Sequence, residues 1–274
     1  MKNVRRKKLF CVMLALCVLL TAGLWGCAAK KTGDAGQELL PITVGCDDYE
    51  PYSYIEASGS FVGIDVELAT EAFHRIGYEP AFQMIQWEDK DELLNSGAID
   101  CLWSCFTMTG REELYQWAGP YLYSRHVIVV QADSDIQSLA DLAGRRVGVQ
   151  ATTKPENLFL YRTDPNIPQV GQLYSCSGVS ELHALLRKGY VDAIASHEAT
   201  LKLLVEESSE KYRVLDEPLY VGQLGVAFER GSHKELIGQL NAALQEMKQD
   251  GTMDRIMKKY GLDPQKMVWG GNKS

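Results

Sequence analysis

The chain has 274 residues, 46% of them hydrophobic and 23% charged, with 24 Gly and 9 Pro. That balance excludes collagen-like, low-complexity and disordered classes and leaves enough chain for a substantial core. The net charge of −8 disfavours a nucleic-acid partner, because phosphate binding needs clustered Lys and Arg.

The charge is unevenly placed. Lys2, Arg5, Arg6, Lys7 and Lys8 precede an apolar run from Leu9 to Leu20, and no acid occurs before residue 28. Basic residues, a short apolar stretch and then small residues read as a secretory signal. The run is shorter than the roughly 20 apolar residues that span a bilayer, so a transmembrane anchor is the weaker alternative. Leu24-Trp25-Gly26-Cys27 resembles a bacterial lipobox. The resemblance implies a signal peptide over 1–26 and a lipidated Cys27, followed by a small polar tether to residue 40. An ordinary signal peptide with an incidental Cys is the alternative. Beyond residue 27 the chain holds 23 basic and 36 acidic residues, a net charge of −13. Screening over about 8 Å makes that surface charge a weak preference for cationic or zwitterionic solutes.

The folded part reads as alternating strands and helices. Residues 42–46 suit a buried strand. Ile64, Leu68, Ala72 and Ile76 recur at helical spacing, with Gly77 as the stop. A strand near 80–86, a helix near 89–96 and a strand at 99–104 come next, the pattern of βαβ units and a parallel sheet. The pattern then returns at an offset of 92 residues. Leu93-Leu94-x-x-Gly97-x-Ile99-Asp100-x-Leu102-x-Ser104 is matched by Leu185-Leu186-x-x-Gly189-x-Val191-Asp192-x-Ile194-x-Ser196. Two α/β lobes, with Ser104 and Ser196 lining a cleft at the strand ends, explain the repeat. One continuous doubly wound sheet is the rival. Glu235 to Tyr260 reads as helix, interrupted at Gly251. Cys46, Cys101, Cys105 and Cys176 show no metal-ligand spacing and read as small buried residues or as a disulfide between Cys46 and Cys101 or Cys105. No metal or cofactor is expected.

Several short motifs occur in a fixed order. They include Asp48-Tyr49-x-Pro51-Tyr52-Ser53-Tyr54, Phe61-Val62-Gly63-Ile64-Asp65-Val66-x-Leu68-Ala69, Thr107-x-Thr109-x-Arg111 and Val147-Gly148-Val149-Gln150. With Val191-Asp192-Ala193 and Gln249-Asp250-Gly251-Thr252, the stretch from about 41 to 265 resembles the extracytoplasmic solute-binding proteins of ABC importers, family 3, which bind amino acids and other small polar solutes. The resemblance implies an α/β, two-lobed periplasmic-binding-protein fold of type II, with two parallel-rich sheets. Residues 41–122 plus 224–274 would form lobe 1 and residues 123–223 lobe 2. The crossovers would fall near 122–127 and 218–224. It implies a monomer that closes on a small carboxylate-bearing solute, delivers it to membrane permease subunits and performs no chemistry.

The resemblance also assigns the contacts. Tyr49 and Trp87 would flank the solute's side chain. Ser104, Cys105 and Thr107 would form a strand end and turn, with Cys105 where a Ser is common. Arg111 would bind the carboxylate, since a guanidinium fork matches it bidentately. Thr152 and Thr153 would offer a hydroxyl and backbone N–H groups at a helix start. The position of the usual ammonium-pairing Asp holds His197, or Glu198 if the strand end shifts by one. The remaining alternatives are a ligand-sensing partner of a membrane receptor and a periplasmic dehydratase on the same fold, with His197 and Glu198 as acid and base.

Overall fold

The computed structural model describes residues 38–264. The signal segment, Cys27 and the tether up to residue 37 lie outside the described residues. Among the described residues, no helix is long and apolar enough to cross a membrane.

Strand β1 (Leu40–Cys46) opens the fold, and a small hairpin of β2 (Tyr54–Ile55) and β3 (Phe61–Val62) comes after it. Helix α1 (Ile64–Arg75) forms where the fourfold apolar spacing predicts it, and Ile64, Leu68 and Ala72 are completely buried. Gly63 starts it at φ 129°, and a Cβ there would lie 2.2 Å from the Tyr52 carbonyl oxygen. Only glycine fits both constraints. Strand β4 (Tyr78–Met84), a 3-10 turn (Trp87–Asp89) and helix α2 (Lys90–Asn95) lead to β5. The strand expected over 99–104 shrinks to Cys101–Leu102 in β5, because Asp100 N–H and Trp103 N–H bond to β1 individually on either side of it.

The long strand β6 (Gln116–Gln131) leads to β7 (Arg146–Gln150), α3 (Lys154–Tyr161), β8 (Gln172–Cys176) and α4 (Val179–Arg187). Then come β9 (Ala193–His197), α5 (Glu198–Glu207), β10 (Tyr212–Val214) and β11 (Tyr220–Phe228). The C-terminal helix breaks into α6 (Lys234–Gln249) and α7 (Thr252–Lys259) at Gly251, which takes φ 79°.

Nine strands make one hydrogen-bonded sheet in the order β4-β1-β5-β11-β6-β9-β7-β8, with β10 on β6. β4, β1 and β5 are parallel to one another, and so are β8, β7 and β9. The expected crossovers are strands: β6 and β11 pair antiparallel from His126 and Tyr220 to Gln116 and Phe228, with one register shift. The ladder thus runs unbroken through two parallel halves.

Each half has its own core. The first packs α1, α6 and α7 around Trp103, Phe73 and Phe228. In the second, Ile128 and Val130 of β6 face Val147, Val149 and Leu158, while Val127 and Val129 face Leu182, Leu186 and Leu201. This two-residue alternation is what a strand buried on both faces requires. All four cysteines of the fold are free and buried, so the disulfide expectation is corrected. The parallel register sets Cys101 beside Val44, two residues from Cys46. That puts the Cα atoms roughly 8 Å apart by strand geometry, beyond disulfide reach.

The repeat has a structural meaning. Gly97 and Gly189 take φ 73° and 71°. Asp100 Oδ2 accepts Thr43 N–H at 2.7 Å, and Asp192 Oδ2 accepts Arg146 N–H at 2.8 Å. Each Asp ties a helix-turn-strand unit to the neighbouring strand, Asp100 at the middle of β1 and Asp192 at the start of β7, and each unit ends in a Ser at the same cavity.

Candidate functional site

The cavity lies beyond the carboxyl ends of β1, β5, β7 and β9, where open α/β sheets bind ligands. Its first wall carries Asp47, Tyr49, Trp87 and the turn Ser104-Cys105-Phe106-Thr107 leading to Arg111. The turn is fixed from behind. Ser104 Oγ accepts Asp47 N–H at 3.1 Å and meets Ser53 Oγ at 2.8 Å. Cys105 takes a left-handed φ of 41°, and its N–H donates to the buried Asp65 carboxylate. Tyr121 OH stands near that carboxylate without hydrogen-bond geometry, so Asp65 Oδ1 and Tyr121 OH are both unpartnered. Burial pushes Asp65 up to about 7 and the Cys105 thiol well above its usual range.

Arg111 is 6% exposed. It donates to the carbonyls of Thr107 at 3.1 Å and Thr152 at 3.2 Å, and its guanidinium carbon lies 5.3 Å from the Phe106 ring centre. Among the described ion pairs none involves Arg111. A buried guanidinium with only carbonyl acceptors calls for an anion. Trp87 stands edge-on to Phe106 at 5.0 Å and packs under Lys90 Nζ at 5.3 Å.

The second wall carries Gln150, Thr153, Lys154, Ser196 and His197, with His126 from β6 between the walls. Gln150 Nε2 donates to the Asp47 carboxylate and to Ser177 O. Burial raises Asp47 to about 6 against that hydrogen bond. Ser196 Oγ hydrogen-bonds Tyr49 OH across the cavity. His197 Nδ1 meets Ser124 Oγ at 2.7 Å, and its ring lies 4.0 Å from that of His126. Burial, helped by Arg111, lowers His197 to about 3 and puts His126 well below its usual value, so both rings are neutral.

Eight of the ten residues expected at the site therefore line one cavity: Tyr49, Trp87, Ser104, Cys105, Thr107, Arg111, Thr153 and His197. Thr152 stands just behind them. It takes a left-handed φ of 60°, receives Lys90 Nζ on its hydroxyl at 2.9 Å and gives its N–H to Glu156 at 2.6 Å. The amide expected to meet an anion is thus held by the helix's own Glu156. Glu198 lies outside the lining. As the first residue of α5 it points to Arg125 at 3.6 Å and Lys202 at 3.3 Å. His197, not Glu198, therefore reaches the site.

Sequence reading missed Asp47, Gln150, His126 and Lys154. Asp47 and Gln150 succeed or end strands of the parallel sheet, where the strand-end rule looks. Lys154 adjoins the two threonines already singled out. His126 sits inside the strand sequence His-Val-Ile-Val-Val, and no local signal marks it. Among the described residues no group of three or more His, Cys, Asp or Glu could hold a metal ion.

Residues 42–263 match the family model of the bacterial extracellular solute-binding proteins, family 3. The chain is 30% identical over 223 residues to the L-cystine-binding protein TcyA of Bacillus subtilis (strain 168), covering 80% of each chain. It is 27% identical over 256 residues to the arginine-binding extracellular protein ArtP of the same strain, covering 93% of this chain and 98% of that one. A solved structure of an ancestral arginine-binding protein bound to arginine superposes with a TM-score of 0.74 at 28% identity, over 81% of this chain and 99% of that chain.

Proposed function

The chain belongs to the bacterial extracellular solute-binding proteins of family 3, and from that membership we propose that its cavity captures one small α-amino acid or close derivative for an ABC importer. The buried Arg111 guanidinium, without a carboxylate partner among the described residues, carries this reading. It would hold the ligand's carboxylate. Tyr49 and Trp87 would flank the side chain, and the hydroxyls of Ser104, Thr107 and Thr153 would complete the polar shell.

Residues 41–122 with 224–274 would move as one lobe and 123–223 as the other, bending at β6 and β11. Tyr49–Ser196, Asp47–Gln150 and Lys90–Thr152 join the two sides, so closure assembles the site and sequesters the solute. A lipidated Cys27 would keep a monomeric carrier beside its permease, because several acyl chains anchor stably where one does not.

The test is thermal unfolding of the full chain in detergent against a panel of amino acids. A ligand at 100 times its Kd should add about 2.7 kcal/mol of stability. Arg111→Ala should remove the response, and the bound solute should be recovered chemically unchanged. No response to any α-amino acid, or one that survives Arg111→Ala, would overturn the reading.

A further inference from the structure

Resting on the reading above, we propose that the ligand is an acidic amino acid, whose two carboxylates meet Arg111 and Lys154 and whose ammonium meets Asp47. The charged groups lining the cavity are two cations and one carboxylate. Once the walls close, each must be matched or its desolvation goes uncompensated. A ligand with two anionic groups and one cationic group matches all three. A neutral-side-chain amino acid leaves one lining cation without an anion, and a basic one adds a cation with no anion to meet it.

Lys154 begins α3 on the second wall. Its Nζ lies 4.7 Å from the Tyr220 ring centre and 2.9 Å from where a Cβ on Gly110 would stand. It therefore abuts the residue next to Arg111, so two cations converge on one turn from opposite walls. The described ion pairs include neither.

Of the nearby carboxylates outside the lining, Glu112 reaches Lys154 only through solvent, and Glu156 and Asp91 are committed elsewhere. Glu112 acts on Lys154 from the exposed side and is held by backbone groups of Gly110, Arg111 and Glu112. Glu156 takes Thr152 N–H and Ser175 Oγ–H. Asp91 takes Tyr115 OH and lies 3.8 Å from Lys90.

The ammonium has a single carboxylate to find in the lining. His197 is neutral, with Nδ1 on Ser124, and Cys105 offers only a weak acceptor. Asp47 receives Gln150 and Asp48 N–H and keeps lone pairs for a further donor. The acidic surface of the whole chain opposes an anionic ligand only through solvent, where screening is strong. Contacts inside a closed cavity outweigh it.

Isothermal titration of the full chain in detergent tests the proposal. L-glutamate or L-aspartate should bind at least about tenfold more tightly than L-glutamine, L-asparagine, L-arginine and L-cystine, one charge-assisted contact's difference. Lys154→Met should erase that preference, weakening the acidic pair at least about tenfold more than the amides. Lys154→Arg should keep the preference. If glutamine, arginine or cystine binds as tightly as the acidic pair, or if Lys154→Met weakens glutamine and glutamate equally, this inference falls while the amino-acid reading stands. If no α-amino acid binds, both fall.

Discussion

At the end of β5, Ser104 leads into a left-handed Cys105 and on to Arg111. At the end of β9, Ser196 leads into His197, which starts a helix directly. The two units up to the serines are copies, down to the Gly turn and the Asp that grips the neighbouring strand. The residues after each serine are not repeated. The first half spends the next seven residues on a turn that carries an aromatic, a hydroxyl and the buried guanidinium. The second half supplies a neutral imidazole and leaves its cation to Lys154 on another helix. The repeat builds the frame, and the residues just beyond it set the chemistry.

The supports behind the two sites differ as well, and this difference can be broken most forcefully at Asp65. Cys105 N–H rests on that fully buried carboxylate. His197 leans on the Ser124 hydroxyl. Asp65→Ala should cost about 2–4 kcal/mol in urea unfolding, because it leaves a buried N–H without an acceptor in a strained turn. Asp65→Asn keeps an acceptor and removes the titration. Asp65 rises from 3.8 to about 7 on folding, so its protonated form is favoured by the fold. That stability is full below pH 3.8 and is lost as pH rises toward 7. His197, lowered to about 3, and His183, lowered to about 4, act in the opposite sense below pH 6.5. The Asp65→Asn protein should therefore gain on the wild type as pH climbs from about 4 to about 7, by at most about 1.4 kcal/mol per unit, and level off above. A difference that shrinks with pH would mean that the fold favours the carboxylate over the acid, and the upward shift of Asp65 would fall.

The paired serines sharpen the comparison with a smaller effect. Ser104 bonds only within its own half, to Asp47 N–H and Ser53. Ser196 bonds across the cavity to Tyr49. Ser104→Ala should lower unfolding stability by about 1–2 kcal/mol, the cost of a buried donor left unmade. If the Tyr49–Ser196 bond forms on the proposed closure, Ser196→Ala should change stability by less than about 0.5 kcal/mol and weaken ligand binding about three- to tenfold. Calorimetry and urea unfolding separate the two. If both serines act on stability alone, the Tyr49–Ser196 bond does not belong to closure.

Much of this architecture is legible in the amino-acid sequence. The α1 stripe, the Gly97 and Gly189 turns and the serines at the strand ends come from period and punctuation, which are local. Arg111 and Tyr49 are legible through their place in a motif. Asp47, Gln150 and Lys154 stand at strand ends or beside a motif, but their role depends on which wall faces which across the sheet, and that is not local. His126 hides in an apolar strand, where period two shows the face but not the neighbour. Glu198 misleads because one residue separates the strand end from the helix start, and that step turns a side chain from cavity to surface. The segments expected as crossovers cannot be recognised from the sequence as part of the long antiparallel pair of β6 and β11 that unites the sheet, since pairing between residues about a hundred positions apart leaves no local pattern.

The smallest effects lie in the frame itself, at Asp100 and Asp192. Both carboxylates accept an N–H of the neighbouring strand, so an Ala substitution at either should cost about 1 kcal/mol. They differ in one respect. Asp192 also takes Arg146 Nε at 3.1 Å and its NH2 group, and that bond holds its carboxyl below the usual range. Asp192→Asn should therefore lose a few tenths of a kcal/mol that about 1 M salt cancels, because the pair is partly exposed. Asp100→Asn has no such pair to lose and should be insensitive to salt. Equal salt responses would mean that the ion pair adds nothing to the frame and that the two units are held by the shared N–H bond alone.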